Sequence, residues 1–210
     1  MSIKLNAQSG GSVALDAPTQ TTGSADNIYK LPVADGSAGQ VLKTDGSGNL
    51  SWVTIDDNPI TTFTRFRLTS AKTGNQDPIT SSFGTADDGG RANITPAVTE
   101  SSGIFTFPST GMYKIQANWS VINYSANVSW CDMDILFAQD GTNYNAMARS
   151  VVGAPSGYYI QPVTTLYVDV TDTSTAKAKF KAVYADSNTQ IRGSGTNDYT
   201  YFDFMRIGDT

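Results

Sequence analysis

Histidine is absent from the 210-residue sequence, and cysteine occurs once, as Cys131. The lack of histidine removes the commonest general base, the imidazole-based catalytic triads and the imidazole ligands of metal sites. A single cysteine cannot form an intrachain disulfide, and without histidine nothing obvious activates its thiolate. We therefore expect a protein that is not an enzyme, uses no metal or other cofactor, and is synthesised in a reducing cytoplasm.

Charged residues and long apolar runs are also scarce. Charged residues make up 16% of the chain, and 19 acidic against 14 basic side chains give a net charge of −5. This balance does not favour electrostatic attraction to nucleic acid or to anionic lipid. No run of about 18 apolar residues occurs, and the first residues lack the apolar stretch of a signal peptide. Neither membrane insertion nor secretion by the usual signal is indicated.

The residues that are abundant favour strands and turns. Val, Ile, Thr, Tyr and Phe cluster in short runs that Gly, Asn, Asp and Ser separate. Apolar and polar residues alternate with a period of two over residues 113–119, 131–137, 166–170 and 178–182, and Cys131 falls on an apolar face. This pattern predicts an all-β fold, a sandwich or jelly roll. Residues 199–207 are aromatic on both faces, which predicts a closing strand that is buried on both sides.

The first part of the chain has a different pattern. Residues 1–58 contain three short apolar patches, which turns rich in Gly, Asp and Ser separate. These patches are too small to form a core, so an ordered arm needs a partner surface. We expect an extended N-terminal attachment or trimerisation arm with short strands over residues 1–58 and a C-terminal knob over residues 59–210. The candidate contacts of the arm are Leu31, Val33, Val41, Leu42, Leu50 and Trp52.

Two motifs suggest chemistry but lack the required spacing. Residues 36–44 are similar to a phosphate-binding loop, but Leu42 stands where a glycine should precede the lysine, so a turn is predicted. Asp132 and Asp134 share one strand face and could join Asp169 and Asp172 around calcium. Asp132, Asp134 and Asp169 could also serve a glycan hydrolase. The regular spacing of calcium ligands is missing, which favours carboxylates on a solvated strand face.

Six residues are candidates for surface binding. Lys177, Lys179 and Lys181 form a stripe that could bind an acidic polysaccharide, or that could protect an edge strand from pairing. The loop aromatic residues Tyr144, Tyr158 and Tyr159 could stack on a sugar, anchor a protein contact or pack against a neighbouring subunit.

Three stretches of the C-terminal part carry a family resemblance. They are residues 103–119, where a Pro-Gly corner joins two strands, residues 166–170 before a polar turn, and the closing residues 201–204. Because of these stretches, residues 59–208 resemble the jelly-roll superfamily that includes the complement subcomponent q head and the tumour-necrosis-factor ligands. The resemblance implies trimers about a threefold axis with apolar and aromatic subunit contacts. No collagen-like Gly-X-Y repeat precedes the domain, so the resemblance does not extend to complement-type signalling.

The N-terminal part carries a second resemblance. Residues 12–18, 29–32, 34–37 and 41–52 resemble the leader of virion structural proteins from tailed phages, particularly marine ones. This implies a viral structural protein on the virion exterior, a trimeric capsid-decoration or head-fibre protein that is made in the host cytoplasm. Its expected partners are copies of itself, other capsid or tail proteins, and a host-surface glycan or protein. The alternatives are a short tail-fibre receptor-binding protein, a bacterial surface-binding module and a glycan hydrolase on a β scaffold.

Overall fold

The computed structural model describes residues 28–55, 60–85 and 93–210 in full, and the backbone alone of residues 3–6 and 12–15. The chain divides into two compact units, Met1–Asp57 and Asn58–Thr210, here named the N-terminal and C-terminal units. The predicted boundary between residues 58 and 59, and residues 16–18 of the leader-like stretch, lie outside the described residues.

The N-terminal unit contains two small antiparallel sheets. Its strands are β1 (Ile3–Asn6), β2 (Ser12–Leu15), β3 (Gln40–Thr44) and β4 (Leu50–Thr54). Strand β1 pairs with β2, and β3 pairs with β4. The turn between β3 and β4 forms because the Asp45 carboxylate accepts the backbone N–H groups of Ser47, at 2.8 Å, and Asn49, at 3.1 Å. The predicted arm with short strands is confirmed.

A tryptophan organises the segment that precedes β3. The indole Nε1 of Trp52 donates a hydrogen bond to the carbonyl of Ala34 at 3.0 Å. The indole ring lies so close to Gly36 that an added Cβ would be 2.5 Å from its Cδ2 atom. The N–H of Gln40 donates to the carbonyl of Ser37 at 3.1 Å, which closes a turn that leads directly into β3. The predicted turn is confirmed, and a strand and not a helix follows it.

The C-terminal unit is an antiparallel sandwich. Every regular element among its described residues is a strand, and no helix in the described part of the chain is long and apolar enough to cross a membrane. The strands are β5 (Phe63–Leu68), β6 (Lys72–Thr73), β7 (Phe83–Thr85), β8 (Thr99–Ser101), β9 (Ile104–Thr106), β10 (Gly111–Asn118), β11 (Val121–Ile122), β12 (Val128–Ala138), β13 (Asn145–Ala154), β14 (Val163–Val170), β15 (Lys177–Tyr184), β16 (Gln190–Ile191) and β17 (Tyr201–Gly208).

These strands form two large sheets and a small one. Sheet I has the order β14-β10-β17-β5-β7, and sheet II has the order β13-β12-β15-β9-β8. The small sheet has the order β11-β16-β6. Consecutive strands pair in β12 with β13 and in β8 with β9, whereas β10 lies between the distant strands β14 and β17. Such long-range pairing is typical of a jelly roll. The predicted all-β jelly-roll fold is confirmed.

The period of two decides which side chains enter the core. Buried residues alternate with more exposed ones along the whole of β10, β14 and β15. The predicted core faces are confirmed by the burial of Tyr113, Ile115, Ala117, Trp119, Cys131, Met133, Ile135, Phe137, Leu166, Val168, Val170, Ala178, Phe180 and Ala182. Burial raises the pKa of the Cys131 thiol to about 11, so this thiol is a core side chain and not an activated nucleophile.

Aromatic rings from both large sheets form the centre of the core. The ring centroids of Phe180 in sheet II and Phe202 in sheet I are 4.1 Å apart, and Phe105 in sheet II stacks on Phe204 in sheet I at 5.1 Å. Trp119, just after β10, meets Phe202 at 5.4 Å. Each such pair adds roughly 0.5–1.5 kcal/mol beyond the area that it buries. The rings therefore hold sheet I against sheet II.

The closing strand β17 is fully buried on one face only. Phe202 and Phe204 are buried, whereas Tyr201 and Asp203 are half-buried and Ile207 is exposed. The prediction that both faces are buried is wrong for the face that carries Tyr201, Asp203 and Ile207. The reason is that β17 lies between β10 and β5 in sheet I, and only one face of sheet I packs against sheet II.

The turn between β8 and β9 requires a glycine. Ser102 and Gly103 have φ values of 52° and 78°, and residues 101 and 104 pair across the turn. Two central residues with positive φ form the two-residue hairpin turn that matches the twist of the strands. A Cβ at Gly103 would lie 2.1 Å from the carbonyl oxygen of Ile79. Gly103 therefore avoids both strain and a backbone clash.

We predict that Gly103→Ala lowers the free energy of unfolding by at least about 1–3 kcal/mol. An alanine there would have a strained positive φ, and its Cβ would clash with the carbonyl oxygen of Ile79. Urea unfolding followed by tryptophan fluorescence measures the change. Gly195→Ala is the matched control, since a Cβ at Gly195 meets no atom within 4 Å and its φ is not left-handed. Equal effects of the two substitutions would contradict the assignment.

Candidate functional site

The six candidate contact residues of the arm lie in or just before the β3–β4 hairpin. Leu31 and Val33 are strongly exposed, Val41, Leu42 and Trp52 are exposed to a lesser degree, and Leu50 is half-buried. Leu42 and Trp52 face each other across the hairpin. The apolar side chains of the described part of this unit thus form a surface and not a core.

The structure brings Tyr144 and Lys179 together. The Nζ atom of Lys179 lies 3.7 Å from the centroid of the Tyr144 ring, a distance typical of a cation–π contact. The Asp140 carboxylate accepts the backbone N–H groups of Thr142, at 3.0 Å, and Asn143, at 2.8 Å, and so shapes the turn before Tyr144. These bonds, with that of the Asn143 side chain, lower the pKa of Asp140 to about 2. An open pocket of about 340 Å³ lies beside this turn.

The three lysines of β15 do not form a free cationic stripe. Lys177 donates a hydrogen bond to the carbonyl of Thr173 at 2.9 Å, Lys179 lies over Tyr144, and Lys181 forms an ion pair with Asp77 at 3.0 Å. The interpretation as protection of an edge strand is wrong. Strand β15 lies inside sheet II between β12 and β9, and residue 182 forms a bridge with residue 76.

The acidic residues do not collect into one site. Asp132 and Asp134 lie on β12 of sheet II, Asp169 lies on β14 of sheet I, and the Asp172 carboxylate accepts hydrogen bonds within its own turn. In the described part of the chain, no group of three His, Cys, Asp or Glu side chains could hold a metal ion. The calcium and hydrolase interpretations therefore receive no support from this arrangement.

The interpretation of a solvated strand face is wrong for Asp134. Its side chain is fully buried, because β12 is an interior strand and Arg149 of β13 lies over the carboxylate. Arg149 donates to Asp134 at 2.8 and 3.2 Å, and it approaches Asp132 at 3.1 Å. Burial, followed by the neighbouring Asp134 charge, raises the pKa of Asp132. This group is an ion-pair network that joins two strands.

Tyr159 belongs to a larger cluster at one set of loops. The guanidinium carbon of Arg192 lies 4.3 Å from the ring centroid of Tyr159 and 3.6 Å from that of Tyr199. The phenol oxygen of Tyr159 is 3.2 Å from that of Tyr124, and this hydrogen bond raises the pKa of Tyr124. We name Tyr124, Tyr159, Arg192 and Tyr199 the tyrosine–arginine cluster, and Tyr158 adjoins it in sequence.

Ser120 positions two members of the cluster. Its carbonyl accepts the backbone N–H of Arg192 at 2.8 Å. Its own N–H donates to the hydroxyl of Thr200 at 3.0 Å, directly after Tyr199. The first bond holds the backbone of Arg192, and the second holds the side chain of the residue that follows Tyr199. The positions of Arg192 and Tyr199 are therefore set through the segments that carry them.

The residues next to Ser120 position the loop that carries Tyr158 and Tyr159. Val121 and Ile160 exchange two backbone hydrogen bonds at 2.9 and 3.0 Å. The N–H of Gly157 donates to the carbonyl of Asn123 at 2.8 Å, and Gly157 has a φ of 79°. The loop is thereby tied to β11 and its following segment.

Sequence reasoning identified Tyr158 and Tyr159 but missed the other members of the cluster. Arg192 precedes the Gly-Ser-Gly run at residues 193–195, so an arginine in a glycine-rich loop was the available signal. Nothing in the sequence links it to Tyr124 or Tyr199, because strand pairing between distant segments brings them together.

A polar pocket of about 260 Å³ adjoins the cluster through Tyr199. Its other lining residues are Asn118, Trp119, Gln161, Val163, Asp198 and Tyr201. The amide nitrogen of Asn118 is buried and has no hydrogen-bond partner among the residues that the structure describes. One lining residue of the pocket therefore carries an unsatisfied hydrogen-bond donor.

The face of sheet I that points away from sheet II carries aromatic and apolar side chains. Tyr167 on β14 is 60% exposed. Three cross-strand pairs form one row: Tyr167 with Lys114, Lys114 with Met205, and Met205 with Phe63. This row crosses four strands and is a candidate subunit contact that sequence reasoning did not identify.

Comparisons with known proteins support the fold. No protein-family model matches the chain, and no curated protein matches it. The chain is similar to the crystal structure of murine APRIL at pH 5.0, with a TM-score of 0.50 and 11% identity over 69% of this chain and 98% of that chain. It is also similar to Eiger TNF from S. frugiperda, with a TM-score of 0.51 and 8% identity over 73% of this chain and 96% of that chain. At these identities the likeness shows the fold alone, a TNF-like jelly roll.

We predict that Asp134→Ala lowers the free energy of unfolding by about 1–3 kcal/mol, because Arg149 loses a bidentate partner but is exposed enough to be rehydrated. Chemical unfolding measures the loss. Asp169→Ala, at an exposed position of β14, serves as the control and should change stability by less than about 0.5 kcal/mol. A similar loss in both variants would be evidence against the ion-pair network.

We predict that the Asp140 carboxyl titrates near pH 2 in an NMR titration, below its ordinary value of 3.8. A lowered pKa in the folded state means that the stability it adds is fully present above about pH 3.8 and is lost as the pH falls through about 2. Asp140→Asn should remove this part of the acid dependence. A midpoint at 3.8 would contradict the hydrogen-bonded turn.

Proposed function

We propose that this chain is a non-enzymatic structural protein of a virion exterior, in the role of a capsid decoration or head fibre. Three C-terminal units form an exposed knob, and the N-terminal units dock the trimer on the particle. The loops of the knob, including Tyr158 and Tyr159, engage the host surface. Synthesis takes place in the host cytoplasm.

The observation that carries the proposal is the exposure of the apolar side chains of the N-terminal unit. Leu31 is 72% exposed, and Val41, Leu42 and Trp52 are all more than one third exposed. Exposed apolar area costs roughly 25 cal/mol per Å² relative to burial, so such a surface favours a partner. The resemblance of this part of the chain to phage virion leaders supports a virion as the partner.

The outer face of sheet I supports the trimer. Tyr167 is 60% exposed, and it stands at the end of the row that Lys114, Met205 and Phe63 continue. Tyrosine and methionine are enriched at protein interfaces. The superfamily that residues 59–208 resemble uses aromatic and apolar side chains of this kind at its threefold contacts.

The positions of two candidate catalytic groups fit a structural role. Cys131 is buried with a raised thiol pKa, and the carboxylates of Asp132 and Asp169 lie on different sheets. A glycan hydrolase needs two carboxylates facing one cleft, about 5–10 Å apart.

We predict that the full chain has three times its own mass in light scattering, and that Tyr167→Asp has the mass of one chain. A carboxylate at the subunit contact would be buried without a partner, which opposes assembly. Val151→Asp is the control, since Val151 is similarly exposed but lies on sheet II, and it should stay trimeric. A monomeric full chain would overturn the trimer.

The docking role predicts binding of the full chain to empty capsids of the virus that encodes it. A variant with Leu31, Val33 and Trp52 all changed to Ser should bind at least about tenfold more weakly, because it removes apolar area from the docking surface. The control carries Ser at Met147 and Val151, two exposed apolar positions of sheet II. Binding to tail complexes alone would indicate a tail fibre, and binding to neither particle would overturn the virion role.

A further inference from the structure

Arg192 differs from the other described arginines in lacking a carboxylate partner. Among the residues that the structure describes, its guanidinium forms no ion pair and donates no hydrogen bond, and its side-chain contacts are the rings of Tyr159 and Tyr199. Carboxylates do approach the other described arginines: Arg65 pairs with Asp203, Arg67 with Asp198, Arg149 with Asp134, and Arg206 with Asp209.

Two tyrosine rings lie close to the Arg192 guanidinium and restrict its position. Its guanidinium carbon is 4.3 Å from the ring centroid of Tyr159 and 3.6 Å from that of Tyr199. Stacking occupies the faces of a guanidinium but leaves its N–H groups available at the edge. A guanidinium held in one plane matches the two oxygens of a carboxylate and loses little entropy when it binds them.

Exposed aromatic side chains occur at Arg192 and on the loop that carries Tyr159. Tyr124 is 65% exposed, Tyr158 is 70% exposed, and Tyr159 is about half exposed. A tyrosine ring offers an apolar face and a polar tip, which suits the apolar face and the hydroxyl rim of a sugar ring. The hydroxyl groups of Tyr124 and Tyr159 already bond to each other and form a polar edge beside Arg192.

The pocket beside Tyr199 extends the surface with polar groups. The amide nitrogen of Asn118 lacks a partner in the described structure, and Gln161 contributes a second amide. The volume of about 260 Å³ is slightly below the roughly 300–1,000 Å³ of sites for drug-sized ligands, which suits a single sugar ring.

Asp198 in the same pocket does not oppose an anionic ligand strongly. Its carboxylate lies 3.3 Å from Nη1 of Arg65 and 3.5 Å from Nε of Arg67. Arg65 also pairs with Asp203 at 2.6 Å, so two cations balance two carboxylates on that side of the pocket and leave no net negative charge there.

We propose that the tyrosine–arginine cluster is a binding site for an acidic saccharide. The ligand carboxylate pairs with the Arg192 guanidinium, a sugar ring stacks on the exposed tyrosines, and hydroxyl groups enter the polar pocket. The proposal deepens the host-attachment role and rests on the proposed engagement of a host surface by the knob loops.

The test is calorimetric titration of the full chain with oligogalacturonate and oligosialate, each compared with its carboxyl-reduced form. We expect binding of at least one acidic oligosaccharide and at least about tenfold weaker binding of its reduced form, because hydrogen bonds to a charged group are lost. A glutamate oligopeptide is the third ligand. Equal binding of that peptide would overturn the saccharide assignment in favour of an acidic protein partner.

Three variants test the geometry of the site. Arg192→Lys keeps the charge but loses the planar fork, and Tyr158→Ala removes an exposed ring; we expect each to weaken binding about tenfold or more. Lys43→Ala removes an exposed cation of the N-terminal unit and should bind as the unchanged chain does. A weakening by Lys43→Ala equal to that by Arg192→Lys would mean that total charge alone attracts the ligand, and would overturn the proposal.

Light scattering and capsid binding of Arg192→Lys separate this proposal from the proposed function. Both should match the unchanged chain, since Arg192 lies outside the apolar arm surface and the row on sheet I. If the full chain binds none of the acidic oligosaccharides at millimolar ligand concentration, the site is overturned, even when the trimer mass and capsid binding are as expected. Loss of trimer mass in Arg192→Lys would instead assign this residue to the subunit contact.

Discussion

The packing of Phe180 against Phe202 is the contact on which the C-terminal unit depends. The rings come from different sheets with centroids 4.1 Å apart, and Trp119, Phe105 and Phe204 continue the contact. Because side chains alternate along each strand, this packing decides which face of every neighbouring strand points outward. The outward row on sheet I and the half-buried lysines of β15 both follow from it.

The two units use their apolar residues in opposite ways. The C-terminal unit buries them between two sheets, with more than two dozen side chains in one cluster. The described part of the N-terminal unit keeps Leu31, Val41 and Leu42 at its surface, because a two-stranded hairpin has no second layer to cover them. The C-terminal unit thus removes its apolar surface from water by its own folding. In the N-terminal unit the exposed apolar surface favours binding to a partner.

Charged side chains also fall into two groups, those that form ion pairs within the protein and those that do not. Asp134 with Arg149, and Asp203 with Arg65, satisfy each other across neighbouring strands, and the hydrogen bonds from Asp203 raise the pKa of Arg65. Arg192 instead contacts the rings of Tyr159 and Tyr199, and in the described structure it forms no ion pair. An arginine of this second kind is the natural place to look for a ligand, because binding does not require an existing ion pair to break.

The sequence alone determined the fold class, the core faces of β10, β14 and β15, the turns of the N-terminal unit and the buried position of Cys131. Each depends on residues near one another in the chain, through a period of two or a glycine that allows positive φ. Tertiary structure alone decided that Asp134 is buried, that β15 is interior, that β17 has one half-buried face, and that Arg192 contacts both Tyr159 and Tyr199. Those features depend on which distant strands pair and in which register, and no local pattern specifies that choice.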